Sequence, residues 1–255
     1  MDYTEVTEVP GIRLTREALD MMFTRYAFAG ELCSGKEVLE VGCGAGQGLG
    51  YIASRARRTV GGDWTERLLS QARRHYGAGM TLVRLDAHNL PFSPRSFDVI
   101  LLYEAIYYLR EPELFLEECR RVLRAGGTVL ISTVNREWCD FNPSPLSTHY
   151  LSAEELSSLL EKHGFRTELR GAFPAGGASV RDHAVSCLKR AAVSLHLVPR
   201  TMKGKELLKR IFLGELLSMP PEVPPAAADS RLPEPISIGA GSSQFKVLFA
   251  IGRLP

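Results

Sequence analysis

The chain is short of the features that mark several protein classes. Cysteine is scarce: Cys33, Cys43, Cys119, Cys139 and Cys187 are scattered through 255 residues with no C-x-x-C pair. An odd, dispersed set indicates neither a disulfide framework nor a zinc site, and a reducing cytoplasm is the expected setting. Long apolar runs are missing. No stretch reaches the roughly 18 consecutive apolar residues that a spanning helix needs; the best, Val99 to Leu109, contains Glu104. The opening MDYTEVTEVPG has acidic residues where a signal peptide needs a basic stretch and then an apolar one, so export by that route is not expected. An excess of charge of one sign is lacking too. With 31 Lys+Arg against 29 Asp+Glu, the formal charge of +2 gives no reason to expect nucleic acid or an anionic membrane as partner, and a small molecule is the expected one.

What is present has the balance of a globular chain. Hydrophobic residues at 45% and charged residues at 24% argue against disordered, collagen-like and coiled-coil classes. The length suits one large domain, or a domain with an appendage. Lys36 to Val41 reads as a short strand entering a glycine cluster, and Leu49 to Arg57 then has helical composition. Further strands are expected at Thr59 to Asp63, Met80 to Asp86, Phe97 to Tyr103 and Gly127 to Val134, with amphipathic helices at Glu66 to His75 and Glu111 to Arg124. Strands alternating with helices predict an α/β, doubly wound, mostly parallel sheet covered on both faces. Ser152 with Glu155 forms a capping box for another helix, which Gly164 is suited to stop. Phe165 to Phe173 is then a sixth strand and Gln244 to Arg253 a seventh.

Residues 174 to 243 interrupt those last two strands. A loop of that length is improbable without structure of its own. It divides into a glycine-rich opening, a basic helical piece from Val180 to Met219 and a Pro/Ala/Ser-rich tail. One reading is a solvated basic face with a core-facing stripe; the other is a lid, a homodimer surface or a contact with an acidic or lipidic partner. The expected organisation is a helical cap over 1–35, an α/β core over 36–173, the insertion over 174–243 and a last core strand over 244–255.

The chemistry gathers at the strand ends. In V38-L-E-V-G-C-G-A-G-Q-G48, Gly42, Gly44 and Gly46 follow the first strand, where the chain turns and a ligand can approach the backbone closely. A dinucleotide loop spaced G-x-G-x-x-G needs glycine where Gln47 stands, which argues against an NAD-dependent oxidoreductase. Asp63 ends the second strand and can accept both hydroxyls of a ribose; a surface turn aspartate is the alternative. Asp86 ends the third and can accept from an exocyclic amine such as that of adenine, or act as a cap. The fourth, S-F-D-V-I-L-L-Y-E-A-I-Y-Y-L, delivers Tyr103, Glu104 and Tyr107 to the same edge. Ligands of open α/β sheets lie beyond the carboxyl ends of the strands, so these tips converge on one crevice.

Together these residues resemble the class I S-adenosylmethionine-dependent methyltransferases, and within them the methyltransferase type 11 group. The resemblance covers Val38 to Val134, from E-V-G-C-G-A-G to R-V-L-R-A-G-G-T-V-L-I. It implies a Rossmann-like seven-stranded sheet whose last strand is antiparallel and inserted beside the sixth. It implies S-adenosylmethionine as cofactor, with Glu40, Gly42, Gly44 and Gly46 lining its methionine part. Asp63 would hold the ribose, Asp86 and Ala87 the adenine, and Tyr103 the sulfonium side. Trp64 would pack on the adenine face or in the core. The helix opening at Thr15 would cover the cofactor, with Arg25 or Tyr26 meeting the methionine carboxylate.

Methyl transfer then needs mainly alignment of a nucleophile behind the methyl carbon, plus a base where the acceptor is a hydroxyl or an acidic carbon. The base is sought in N135-R-E-W-C-D-F-N-P-S-P-L-S-T-H-Y150: His149 first, then Tyr150, Asp140 and Tyr107. His88, near Asp86, is a further neighbour, and Glu104 is read as a hydrogen-bonding partner of nearby backbone. No metal site is expected. The competing class is a subunit or sensor that keeps the cofactor pocket without turnover.

Overall fold

The computed structural model describes residues 2–139, 141–175, 216–226, 232–237 and 242–255. The central sheet is built from β2 (Glu37–Val41), β3 (Arg58–Asp63), β4 (Thr81–Arg84), β5 (Phe97–Tyr103), β6 (Leu123–Val134), β7 (Arg166–Pro174), β9 (Glu234–Pro235) and β10 (Phe245–Arg253). Their order is β4-β3-β2-β5-β6-β10-β7-β9. β2 pairs in parallel with β3 and β5, and β5 pairs in parallel with β6. β10 lies antiparallel between β6 and β7, as expected of the last strand. The seven strands read from the sequence are joined by an eighth: the two-residue β9 extends the β7 edge. A second small sheet pairs β1 (Arg13–Thr15) with β8 (Leu216–Ser218).

The strands are apolar on both faces, as a sheet sandwiched between helices requires. Leu39, Ile100, Leu102, Val129, Ile131, Leu248 and Ala250 face one core, shared with α4 (Pro112–Val122) and α5 (Ala153–Lys162). Val38, Val99, Leu101, Leu130, Val247, Phe249 and Ile251 face the other, shared with α1 (Arg16–Cys33) and α2 (Leu49–Ala53). Phe249 is fully buried against Phe28, and truncating such a ring to alanine costs about 3–5 kcal/mol.

Local signals set the element ends. Thr15 caps α1 by accepting from Ala18 N, and Ser152 and Glu155 form both bonds of the capping box on α5. α2 is shorter than its composition suggests: it ends at Ala53, and the C-cap Ser54 donates its hydroxyl to the Tyr51 carbonyl. β6 starts at Leu123 rather than Gly127, pairing through a register shift opposite Phe97 and Val99.

Most of the basic piece of the insertion lies outside the described residues, and with it the expected homodimer surface. Its described parts return to the body through β8 and β9. Among the described residues no helix is long and apolar enough to cross a membrane.

Candidate functional site

Parallel strands β2 to β5 end at one edge, and the site is built there. Beyond β2, Gly42 and Gly44 have φ of +74° and +58°. A Cβ on Gly42 would lie 3.2 Å from the Ala105 methyl, and one on Gly44 3.2 Å from Thr7 Cγ2, so conformation and space both select glycine. Asp63, at the tip of β3, fixes this loop. Its Oδ2 accepts from Gly44 N at 2.9 Å and its Oδ1 from Thr65 N at 2.7 Å, where α3 (Glu66–Tyr76) starts. Burial raises its carboxyl above the usual aspartate range, against the pull of those amides.

Glu40 lies wholly buried beneath the loop. Tyr26, from α1, donates its hydroxyl to Glu40 Oε1 at 2.6 Å, while Oε2 is buried without a partner. Burial pushes the Glu40 carboxyl up to about 7 even though the Tyr26 bond opposes the shift. Asp86 Oδ1 accepts from the amide of His88 and lies 2.8 Å from its Nδ1. Trp64 is half exposed beside these tips.

The far side of the site is aromatic. Tyr103 donates its hydroxyl to the Arg25 carbonyl at 3.2 Å. Glu104 has a φ of +48°, a left-handed conformation that costs a non-glycine residue about 1–3 kcal/mol. Its Oε2 accepts from Tyr107 Oη and from Val134 N, each at 3.2 Å. Its Oε1 lies 3.0 Å from Arg25 Nη2, an ion pair out of line for a hydrogen bond. Burial raises the Glu104 carboxyl and Arg25 pulls it back. Tyr107 stacks on Tyr150 with ring centroids 4.1 Å apart, and Phe141 packs edge-on against Tyr150.

These two sides bound a cavity of about 920 Å³. Ligand pockets run from about 300 to 1,000 Å³, so this one lies at the upper end of that range. The structure brings Tyr26, Glu40, Gly42, Gly44, Asp63, Trp64, Asp86, Ala87 and Tyr103 to its wall, together with Tyr107, Tyr150, Arg25, His88 and Glu104. Two expected residues are not brought there. Gly46 faces Ala72 and Tyr76 of α3, and its carbonyl accepts from the Tyr76 hydroxyl. The His149 side chain, 60% exposed, lies instead by Arg136 and Glu155, while its neighbours Thr148 and Tyr150 line the cavity. Asp140 lies outside the described residues.

The wall also holds residues that the sequence did not single out. Tyr3, Thr7 and Glu8 cross the mouth of the glycine loop, joined by Met219. Gln47 ties these pieces down: its Nε2 donates to the Glu8 carbonyl at 2.7 Å, and its own carbonyl accepts from Val223 N. No local signal marks them, since each contact joins distant parts of the chain.

Residues 39–131 match the family model described as a methyltransferase domain. The chain is 38% identical over 157 residues to a probable S-adenosylmethionine-dependent methyltransferase of Mycolicibacterium smegmatis, covering 59% of this chain and 60% of that protein. It is 39% identical over 170 residues to phthiotriol/phenolphthiotriol dimycocerosates methyltransferase 1 of Mycobacterium ulcerans, with shares of 59% and 60%. The match thus spans about 60% of the length of these relatives. In fold the chain is similar to a Thermotoga maritima S-adenosylmethionine-dependent methyltransferase described as a possible histamine N-methyltransferase. There the TM-score is 0.58 at 17% identity, over 93% of this chain and 92% of that one. In sheet order, glycine loop and strand-end acids the chain is similar to S-adenosylmethionine-dependent methyltransferases, and its residues 39–131 match the methyltransferase domain model.

Proposed function

We propose that this protein transfers a methyl group from S-adenosylmethionine to a small organic acceptor by in-line displacement. One observation carries the reading: the glycine loop, two strand-end acids and a tyrosine wall share a single large cavity. The side chains fit the cofactor's chemistry. The unpartnered Glu40 Oε2 suits a donor such as the methionine ammonium, and the positive-φ glycines leave the backbone open to close approach. Arg25 lines the cavity with its buried Nε unpaired, which suits a carboxylate. Asp63 uses one acceptor site on each oxygen for backbone and keeps lone pairs for ribose hydroxyls. Asp86 and Ala87 stand for the adenine edge, with Trp64 on its face; Tyr103 stands for the sulfonium side. Gly46 shapes the turn from outside the wall.

When bound, S-adenosylmethionine supplies an electrophilic methyl carbon. The protein's part is to orient the acceptor and exclude water, the roles of the Tyr107 and Tyr150 wall and of the Tyr3 to Glu8 segment over the mouth. His149, whose side chain is outside the wall, has no part in this reading. The test is calorimetry with S-adenosylhomocysteine, followed by methyl transfer to a panel of hydroxyl, amine and carbon acceptors. Binding with turnover supports the proposal; binding without turnover across the panel turns it into a cofactor-binding subunit.

A further inference from the structure

We infer that Tyr107 and Glu104 form a proton relay for a neutral acceptor bearing an acidic hydroxyl on a flat apolar body, such as a phenol. This rests on the methyltransferase reading above and assigns its acceptor class. Glu104 occupies a strained left-handed position at the tip of β5, next to Ala105, whose methyl packs against the glycine loop. Strain of this kind persists where the surroundings hold a side chain in place for use. The two carboxylate oxygens are engaged by Val134 N and Arg25, and Tyr107 Oη is the side-chain hydroxyl that bonds to it. Tyr107 in turn lines the cavity, stacked on Tyr150. A cavity hydroxyl beside Tyr107 Oη can pass its proton to the carboxylate through that oxygen.

Charge selects the acceptor. Carboxylate side chains outnumber guanidiniums in the wall five to two, which disfavours an anionic acceptor. Glu104 is already neutralised by Arg25 at 3.0 Å, so it offers no free counter-ion to an ammonium. A neutral O–H donor matches that pair, and the rings of Tyr107, Tyr108 and Tyr150 match a flat apolar body. Burial keeps the Tyr107 phenol protonated, so it passes a proton on rather than holding a negative charge.

The step balances. The acceptor O–H proton moves to Tyr107 Oη as the Tyr107 proton moves to Glu104 Oε2. The released O–H electron pair forms the O–C bond to the methyl group, and the electron pair of the broken C–S bond stays on sulfur. The groups facing the relay are Arg25 from α1, Glu8 from the N-terminal segment, and Tyr108 and Tyr150.

The test compares wild type, Tyr107→Phe, Glu104→Gln and the double variant. First, S-adenosylhomocysteine binding is measured by calorimetry, which also reports folding. In that complex the phenolate absorbance of added 4-nitrophenol is then followed against pH; finally turnover is measured with 4-nitrophenol, 2-naphthol, benzylamine and 4-nitrobenzoate. The expected result is retained S-adenosylhomocysteine binding, with bound 4-nitrophenol staying neutral to a higher pH in wild type than in Glu104→Gln, because the Glu104 charge opposes a phenolate beside it. Phenol turnover falls by about 10²-fold or more in each single variant, and no further in the double, because the pair acts as one unit. If wild type fails to bind S-adenosylhomocysteine, the cofactor reading falls and the relay with it. If it binds, the relay alone is overturned by any of four results: neither phenol binds, benzylamine or 4-nitrobenzoate is preferred, the single variants keep phenol turnover, or their losses multiply.

Discussion

The two sides of the cavity are made in different ways. The side holding the glycine loop is backbone-built: Gly44 and Thr65 amides converge on Asp63, and Gly42 and Cys43 amides converge on the Gly62 carbonyl. The opposite side is built from side chains, with Tyr107, Tyr150 and Phe141 packing ring on ring and Glu104 held by Arg25. Backbone amides fix one geometry, suited to a ligand that does not change. Side chains can be exchanged without moving the sheet, suited to a ligand that differs between relatives.

Four substitutions test that contrast, in order of falling effect. Glu40→Gln tests the buried acid under the loop. The folded carboxyl is pushed up to about 7 against an ordinary 4.5, so stability is lost as pH rises from about 4.5 and the loss levels off once pH passes about 7. From pH 5 to pH 8 the ligand-free wild type should lose up to about 3 kcal/mol relative to Glu40→Gln, read from denaturation midpoints. Parallel pH profiles would show that Glu40 does not carry this burden. Asp63→Ala leaves two buried amides without their acceptor and should weaken S-adenosylhomocysteine binding by about 1–3 kcal/mol in calorimetry. Unchanged affinity would remove Asp63 from the site.

Tyr150→Ala addresses the other side. It should raise the acceptor KM by about 1 kcal/mol in binding terms, the worth of one ring contact, with cofactor affinity unmoved. A matching loss of cofactor affinity would dissolve the division between the two sides. His149→Ala should change stability by less than about 0.5 kcal/mol and leave the pH–rate profile in place. A lost acidic limb in that profile, the one a general base produces, would return His149 to the chemistry.

Much of this was legible in the sequence, and unevenly so. Asp63, Asp86 and the glycine cluster announce themselves because strand, turn and acid are neighbours in the chain and the open sheet sends strand ends to one edge. Strand bounds follow for the same reason: within Phe97–Tyr103 the buried apolar run Val99–Tyr103 is closed by Asp98 before it and Glu104 after it. Side-chain direction is not local information. His149 sits between Thr148 and Tyr150, which both line the cavity, and one step along the chain turns it to Arg136 and Glu155. Gly46 shares its motif with Gly42 and Gly44 yet faces α3, a distinction set by packing against Ala72. Tyr3, Glu8 and Met219 reach the site only through partners such as Gln47, which is 39 residues from Glu8 and 172 from Met219.

The placement of β10 between β6 and β7 governs the order in which the molecule can be completed. On the ribosome β6 and β7 emerge first, with no direct pairing to each other, and the gap between them waits for Phe245–Arg253. Until that segment arrives, two facing strand edges are bare and open to strands of other nascent chains. Translation that halts before residue 245 therefore yields a split sheet, and chaperone occupancy of such stalled chains would report how long the seam stays open.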